Sequence, residues 1–116
     1  MRIKNILVTG NLGYIGSVLT PLLTKKFKVK GFDIGYFKKC NLTKVANIKN
    51  FNQIIKDIRN INEKDLENID CVVHLAALSN DPIGQFNTKI TYDINYKGTV
   101  KLANLSFFSF NIFRFF

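Results

Sequence analysis

Residues 10–16 constrain the fold of this chain more than any other part of its sequence. They read Gly-Asn-Leu-Gly-Tyr-Ile-Gly, follow the apolar run at residues 6–8, and contain three of the seven glycines. Glycine permits a tight turn between a strand and a helix and lets a ligand approach the backbone closely. The amides at the start of the following helix favour an anion. The pattern therefore predicts a βαβ unit of the kind that binds a dinucleotide through its pyrophosphate.

The length and composition of the chain fit one domain over residues 1–116. The chain can bury one hydrophobic core but has no room for a second, substrate-binding domain. No apolar run reaches the roughly 20 residues that span a bilayer, and the first residues lead directly into a strand. Cys40 and Cys71 show no metal-ligand or redox spacing. We therefore expect a cytoplasmic protein without a membrane partner or a metal site.

The net charge of +9 raises a second possibility, a nucleic-acid-binding surface. The 17 basic residues are scattered, however, with their densest groups at residues 25–30 and 38–39. No helix-turn-helix, zinc or single-strand-binding signature accompanies them. A solvated, lysine-rich surface is the simpler explanation, so we expect no nucleic-acid partner.

Strands alternate with helices along the sequence. Strands are predicted at residues 3–9, 28–33, 53–57 and 71–75, with the start of a fifth at 112–116. Helices are predicted at 12–25, 62–68 and 87–106, with an irregular stretch at 34–51 and a loop at 76–84. This alternation predicts an α/β fold, the incomplete N-terminal half of a Rossmann-type doubly wound parallel sheet. We expect about five strands in the order 3-2-1-4-5, with strand five at an exposed edge, and three to four helices.

The first predicted helix carries an apolar pattern and a proline. Ile15, Val18, Leu19 and Leu22 recur at the spacing of one face of an amphipathic helix. Pro21 lies among them and predicts a kink, because it removes one hydrogen bond of the helix.

Two acidic residues end predicted strands, at the sheet edge where open parallel sheets bind ligands. A carboxylate at Asp33 can accept hydrogen bonds from both ribose hydroxyls of adenosine and would repel a 2′-phosphate, which favours NAD over NADP. The alternative for Asp33 is a solvated side chain. Asp57 and Ile58 end strand three and would flank an adenine, or form only a turn.

Strand four and the helix after it supply the remaining candidates. Leu75, Ala76 and Ala77 end the strand, and their mostly small side chains would let the middle of a dinucleotide approach the backbone. His74 lies in an apolar strand, where a packed histidine is favoured over a catalytic one. Asn95 is a polar residue on a largely apolar helix face. It either forms hydrogen bonds near the cofactor or holds a loop, and the sequence favours neither.

Five motifs in this order resemble the extended short-chain dehydrogenase/reductases. More narrowly, the chain is similar to the NAD-dependent epimerase/dehydratases that act on nucleotide sugars, over nearly its whole length to about residue 106. The motifs are Thr9-Gly10-x-x-Gly13-Tyr14-Ile15-Gly16, Asp33, Asp57-Ile58-Arg59, His74-Leu75-Ala76-Ala77 and Asn95-x-x-Gly98-Thr99.

The resemblance implies NAD as the cofactor, with NADP disfavoured by Asp33. It also implies a nucleotide sugar as the substrate of a full-length relative, and a possible homodimer formed through the helix at residues 87–106. By the same resemblance, Gly10, Gly13 and Gly16 hold the pyrophosphate, and the amides of Tyr14 and Ile15 contribute to that contact. Asp33 binds the ribose of adenosine, and Asp57 and Ile58 contact the adenine. Leu75, Ala76 and Ala77 lie against the cofactor.

This chain departs from the family's pattern at the catalytic residues. Members use a tyrosine with a lysine four residues later, whose charge lowers the tyrosine pKa, and a serine or threonine just after strand five. None of the four tyrosines here has a lysine at that spacing, since the residues four positions after Tyr14, Tyr36, Tyr92 and Tyr96 are Val18, Cys40, Tyr96 and Val100.

Two interpretations of function therefore remain, and neither assigns a catalytic residue to this chain. The first is the NAD-binding N-terminal part of an epimerase/dehydratase-like oxidoreductase, inactive alone. The second is a non-catalytic, redox-sensing dinucleotide-binding module. The ending at residues 107–116 contains six phenylalanines and, if exposed, is a predicted aggregation site.

Overall fold

The computed structural model describes residues 2–40, 48–79, 81–110, 112, 114 and 116. Four parallel strands form one sheet in the order β3-β2-β1-β4. They are β1 (Asn5–Thr9), β2 (Lys28–Asp33), β3 (Phe51–Ile55) and β4 (Cys71–His74). The predicted Rossmann-type α/β fold and the order of its first four strands are confirmed.

Residues near the C-terminus continue the hydrogen bonding beside β4. The Val72 amide donates to the Arg114 carbonyl at 3.0 Å, and the Phe116 amide donates to the Val72 carbonyl at 2.9 Å. The His74 amide donates to the Phe116 carbonyl at 2.6 Å. Arg114 and Phe116 thus lie on the outer edge of β4, the position predicted for strand five. Phe113 and Phe115 of that predicted strand, and Asn111 just before it, lie outside the described residues.

The α-helices are α1 (Tyr14–Leu23), α2 (Asp81–Phe86), α3 (Thr88–Tyr92) and α4 (Thr99–Asn104). Two π-helical segments, Asp93–Gly98 and Leu105–Ser109, follow α3 and α4. The backbone stays in the right-handed helical region at every junction, so residues 88–109 form one continuous rod, called here the long helix. This confirms the helix predicted at residues 87–106 and extends it by three residues.

Several predicted boundaries are corrected. The loop predicted at residues 76–84 contains the start of α2, whose second residue, Pro82, occupies a first-turn position where a missing amide costs no hydrogen bond. β3 lies two residues earlier than predicted. The helix predicted at 62–68 is the short 3₁₀-helix Glu63–Leu66. Within the irregular stretch lies the 3₁₀-helix Lys38–Cys40, while residues 41–47, like Asn80 of the loop, lie outside the described residues.

Two hydrophobic clusters pack on the two faces of the sheet, because successive strand residues point to opposite sides. Leu7 and Val72 face the long helix, and Ile6 and Cys71 face α1. The cluster beneath the long helix is the larger, with buried residues Leu7, Phe32, Ile58, Ile61, Leu66, Ile69, Val72, Leu102 and Ile112. The sheet is therefore a middle layer between two sets of helices. No helix among the described residues is long and apolar enough to cross a membrane.

The first two turns of α1 present small and polar residues to the sheet, and an apolar contact with the sheet, from Leu23, comes only at the end of the helix. Ile15 is 64% exposed and Leu22 54% exposed, whereas Gly16, Ser17 and Thr20 are buried. Small residues face the sheet because α1 starts so close to the preceding turn that larger side chains would not fit there. The apolar periodicity predicted the helix correctly, but the apolar stripe of Ile15, Val18 and Leu22 does not face the sheet. Pro21 lies inside α1, which continues past it.

Leu102 anchors the long helix to the sheet, and a truncation there should be costly. Leu102 is fully buried, so Leu102→Ala is expected to lower the free energy of unfolding by about 2–5 kcal/mol through lost contacts and a cavity. Chemical denaturation measures this change. Val100→Ala, at a 41% exposed position of the same helix, is the matched control and should change it by less than about 0.5 kcal/mol. Equal losses in the two variants would contradict this packing.

Candidate functional site

The turn after β1 requires glycine at its first position. Gly10 adopts a left-handed backbone conformation with φ of +71°. A Cβ atom on Gly10 would lie 2.6 Å from the Ala76 amide nitrogen and 2.6 Å from the Leu75 carbonyl carbon. The turn therefore lies directly against the backbone that leaves β4. Two of the predicted cofactor segments, the glycine turn and the Leu75–Ala77 stretch, are brought into contact here.

The other two glycines let α1 begin against this turn. A Cβ on Gly16 would lie 2.6 Å from the Asn11 Cα, and one on Gly13 would lie 3.2 Å from the Gly10 carbonyl oxygen. The Ser17 amide donates to the Gly13 carbonyl at 2.9 Å, which starts the helical hydrogen bonds. The amides of Tyr14, Ile15 and Gly16 precede that bond and, as at any helix start, have no acceptor within the helix. They are the donors that an anion would use.

Asp33 lies at the end of β2 and is bound to the same turn. Its Oδ2 atom accepts a hydrogen bond from the Leu12 amide at 3.0 Å, and its Oδ1 atom accepts one from the Gly35 amide at 2.7 Å. Each carboxylate oxygen keeps further capacity to accept hydrogen bonds. The carboxylate is therefore fixed beside the start of α1, as a ribose-binding acid would have to be.

Asp57 and Ile58 follow β3 rather than end it. Asp57 caps the 3₁₀-helix Ile58–Asn60, accepting the Arg59 amide at 2.9 Å and the Arg59 guanidinium at 2.6 Å. The Arg59 guanidinium lowers the pKa of Asp57 below its usual value. The Ile58 side chain belongs to the core and packs against Gly98 of the long helix. Only the Ile58 backbone is left for contact with a ligand.

His74 joins both strand ends to the long helix. Its Nδ1 lies 2.6 Å from Thr9 Oγ1, and its Nε2 lies 2.8 Å from Thr99 Oγ1. Thr99 Oγ1 donates its hydrogen to the Asn95 carbonyl at 2.7 Å, so it accepts from a protonated Nε2. Nδ1 is then the acceptor from Thr9. These are the contacts of a packed histidine, the interpretation favoured from the sequence, and they hold the end of β4 in place.

Asn95 holds the segment that follows β4. Its Oδ1 accepts the Leu78 amide at 2.8 Å, and its Nδ2 donates to the Leu78 carbonyl at 3.0 Å. The sequence left two interpretations of Asn95 open, and these two hydrogen bonds are those of a residue that holds a loop. A direct contact of Asn95 with a cofactor stays a prediction.

Sequence reasoning missed two residues that support the site, Asn11 and Gln53. Asn11 is completely buried within the glycine turn, and its side-chain amide pairs with that of Gln53 on β3. The two residues are 42 positions apart, and no local pattern pairs them. The only signal was an uncommonly polar residue inside the turn. Among the described residues, no group of histidine, cysteine or acidic side chains is arranged to hold a metal ion.

The fold and the site together define the class of protein. A parallel sheet in this order, with a glycine turn leading into α1 and an acid at the end of β2, is the Rossmann-type arrangement of the extended short-chain dehydrogenase/reductases. The chain belongs to the 3-beta hydroxysteroid dehydrogenase/isomerase family, whose sequence model matches residues 7–109. The resemblance to the extended short-chain dehydrogenase/reductases, of the epimerase/dehydratase type, is thereby confirmed.

Similar proteins are nucleotide-sugar enzymes. The chain is 27% identical to a UDP-N-acetylglucosamine 4,6-dehydratase (inverting) of Campylobacter jejuni, over 90% of this chain and 33% of that protein. A UDP-N-acetylglucosamine 4-epimerase from Methanobrevibacter ruminantium M1 matches with a TM-score of 0.80 and 33% identity, over 91% of this chain and 34% of that one. A UDP-glucuronic acid 4-epimerase from Bacillus cereus, in complex with NAD, matches with a TM-score of 0.79 and 29% identity, over 96% of this chain and 38% of that one. The chain spans about a third of the length of these proteins.

The half-buried His74 makes stability depend on pH in a defined direction. Burial lowers the pKa of His74, so between its folded and unfolded pKa values the unfolded chain binds more protons than the folded one. The free energy of unfolding is then expected to fall as the pH drops from 7.5 to 5.5, with a slope of at most about 1.4 kcal/mol per pH unit. Urea denaturation at several pH values measures this slope.

The chain contains one histidine, which makes the control simple. His74→Gln keeps a hydrogen-bonding side chain but does not titrate, so the variant should be less stable at pH 7.5 and should show a smaller pH slope over the same range. An unchanged slope in His74→Gln would show that another group is responsible.

Proposed function

We propose that this chain binds NAD and is the cofactor-binding part of an oxidoreductase that epimerises or dehydrates a nucleotide sugar. One observation carries the proposal. The glycine turn brings the unpaired first-turn amides of α1 to the same place as the Asp33 carboxylate, which is itself held by the Leu12 amide. The NAD complex of the similar Bacillus cereus epimerase supports this choice of ligand.

Different segments of the chain would contact different parts of the cofactor. In our proposal, the amides of Tyr14, Ile15 and Gly16 bind the pyrophosphate, and the two oxygens of Asp33 accept hydrogen bonds from the ribose hydroxyls. The adenine lies beside Asp57 and the Ile58 backbone, and the middle of the dinucleotide lies along Leu75, Ala76 and Ala77, supported by Asn95. NAD, when bound, supplies the chemistry of accepting a hydride. The whole enzyme's substrate is a nucleotide sugar, in line with the similar proteins.

Asp33 selects NAD over NADP in this proposal. The fixed carboxylate would accept hydrogen bonds from a free 2′-hydroxyl, whereas a 2′-phosphate at the same place would meet a like charge. The Leu12 and Gly35 amides hold the carboxylate at that place, so it cannot move away without losing two hydrogen bonds.

Replacing this charge tests the selection. Asp33→Asn keeps the size of the side chain and removes its negative charge, so NAD affinity should fall about tenfold or more and the NADP-to-NAD affinity ratio should rise by at least about tenfold. Isothermal titration calorimetry with both dinucleotides measures the two values. Glu67→Gln, at an exposed carboxylate, makes the same change in net charge and should leave both affinities unchanged. An unchanged ratio in Asp33→Asn would contradict the assignment.

The 116-residue chain is expected to bind without turnover. None of its tyrosines has a lysine four residues later, so it lacks the base that takes the proton of the sugar hydroxyl in the family. Incubation with NAD and UDP-N-acetylglucosamine or UDP-glucuronic acid, followed by chromatography, should give no product above a protein-free blank. A full-length epimerase serves as the positive control. Product formation by the purified chain would contradict this expectation.

A second function, a non-catalytic module that senses the redox state, also fits the residues present. It needs the dinucleotide site and no Tyr-x-x-x-Lys pair. The two functions differ in how the chain should respond to reduction of the cofactor. A sensor binds NAD and NADH with clearly different affinities, and titration with both forms distinguishes it from a cofactor-binding part.

A homodimer formed through the long helix is a further part of the proposal. The outer face of this helix exposes apolar side chains, with Tyr92 and Tyr96 stacked at 5.0 Å between ring centroids. Exposed aromatic side chains in a continuous patch mark association surfaces. The groove beside Tyr92 is lined by Tyr96, Val100, Leu105 and Phe108 together with Lys97, Lys101, Asn104 and Ser109. We propose no nucleic-acid or membrane partner.

A further inference from the structure

Asn11 and Gln53 form a reciprocal amide pair between the glycine turn and β3, in which Asn11 is buried and Gln53 is half-buried. Asn11 Nδ2 donates to Gln53 Oε1 at 2.6 Å, and Gln53 Nε2 donates back to Asn11 Oδ1 at 3.1 Å. Asn11 is 0% exposed. A buried amide without partners is costly, so a pair that satisfies both side chains holds them in one relative position.

Gly31 on β2 makes this pair possible. Val8 of β1, Gly31 and Gln53 lie in one row across the sheet, and the Asn11 side chain passes over Gly31 to reach Gln53. A Cβ atom on Gly31 would lie 2.5 Å from Asn11 Nδ2 and 2.7 Å from Asn11 Cγ. We call Asn11, Gly31 and Gln53 the amide clamp.

The amide clamp is connected to the anion site through the backbone of Asn11. A Cβ on Gly16 would lie 2.6 Å from Asn11 Cα, so the first turn of α1 rests against Asn11. The next residue, Leu12, donates its amide to Asp33 at 3.0 Å. A displacement of Asn11 would therefore move the helix amides and the ribose-binding acid relative to each other.

Apolar packing does little to hold the start of α1. Ile15 is 64% exposed, and Val18 and Leu22 on the same stripe also face outwards. In the first two turns, the residues that face the sheet are Gly16, Ser17 and Thr20, which offer little apolar surface, whereas Leu23 packs against the sheet only at the end of α1. The position of the helix start thus depends on directional contacts, and the amide clamp supplies the ones that reach across β2.

We propose that the amide clamp is a positioning device that fixes the glycine turn for binding of the dinucleotide pyrophosphate. This inference rests on the proposed function, because it assigns the clamp to the same site. Asn11 and Gln53 do not contact the ligand in this account. They act by holding the amides of Tyr14, Ile15 and Gly16 at a constant distance from Asp33.

Calorimetric titration of the full chain with NAD tests the proposal. Asn11→Ala and Gln53→Ala should each lower NAD affinity about tenfold, and the double variant should lose no more than the larger single loss, because the two residues act as one unit. Asn52→Ala removes an exposed amide of the same strand and should leave the affinity unchanged. Ile69→Val, a core variant away from the turn, controls for lost stability, with every titration made well below the melting temperature. Unchanged affinity in the single variants, or additive losses in the double variant, would overturn the proposal.

A second measurement does not need the ligand. Hydrogen exchange should become faster in Asn11→Ala and in Gly31→Ala at three amides: Leu12, which is bonded to the Asp33 carboxylate, and Gly13 and Ser17, which are bonded to carbonyls of the turn. Exchange of the Asp70 amide, which binds the Asn5 carbonyl at the far end of β1, should not change. If Asn11→Ala does not fold, Gln53→Met keeps the side-chain length, removes both hydrogen bonds and takes its place.

The two measurements separate failure of this inference from failure of the proposed function. If the unmodified chain binds no NAD, the proposed function fails, and the inference that rests on it fails with it. If the unmodified chain binds NAD, faster exchange in the turn together with weaker NAD binding by the variants supports the clamp, and unchanged exchange overturns the inference alone. Faster exchange with unchanged NAD affinity also overturns it, because the clamp would then hold the turn without positioning it for the ligand.

Discussion

Close backbone contact at the glycine turn is the constraint on which the rest of the structure depends. Gly10 lies against the Leu75–Ala76 backbone, and Gly16 lies against Asn11, at distances that exclude a Cβ atom. These contacts set where α1 begins, how β1 meets the segment after β4, and which amides point away from the sheet edge. A side chain at either glycine would force these elements apart. The same contacts that build the fold therefore build the candidate site.

The helices on the two faces of the sheet are held by different kinds of contact. The long helix is held by large buried side chains such as Leu102 and Ile58, so its position is set by shape and apolar area. The start of α1 is held by small residues and hydrogen bonds instead, since Gly16 and Ser17 face the sheet. An anion site at a helix start needs accurate placement of a few amides, and directional contacts provide that better than apolar packing.

Much of the fold was predictable because its signals are local. β2 was predicted over its observed range, Lys28–Asp33, in which Val29 and Phe32 are buried and Asp33 is the last residue. The glycine turn and the four-strand order followed from motif spacing and from the alternation of strands and helices. The face of α1 was not predictable, because its apolar stripe looks like a core face until the closeness of Gly10 and Gly16 is known. The start of α2 was not predictable, because Ser79, Asp81 and Pro82 are residue types that favour turns and loops.

Some residues of the candidate site were likewise predictable from local sequence signals, and others were not. Gly10, Gly16 and Asp33 were identified from the sequence, because each occupies a fixed place relative to a strand end. Asn11 and Gln53 were not, because their pairing passes over Gly31 and depends on the register of β1, β2 and β3. The bonding of Asn95 to Leu78 and of His74 to two threonines likewise required coordinates, since both link segments that are distant in sequence.

A ¹H–¹⁵N NMR titration with NAD shows whether the start of α1 and Asp33 together bind a dinucleotide. We expect saturable shift changes concentrated at the amides of residues 10–16, at Gly35 and at residues 75–77. We expect little change at Lys25, Lys26 and Lys28, where a general attraction of anions to basic side chains would appear. Changes confined to the lysine-rich surface, or none at the glycine turn, would show that the glycine turn is not the dinucleotide site.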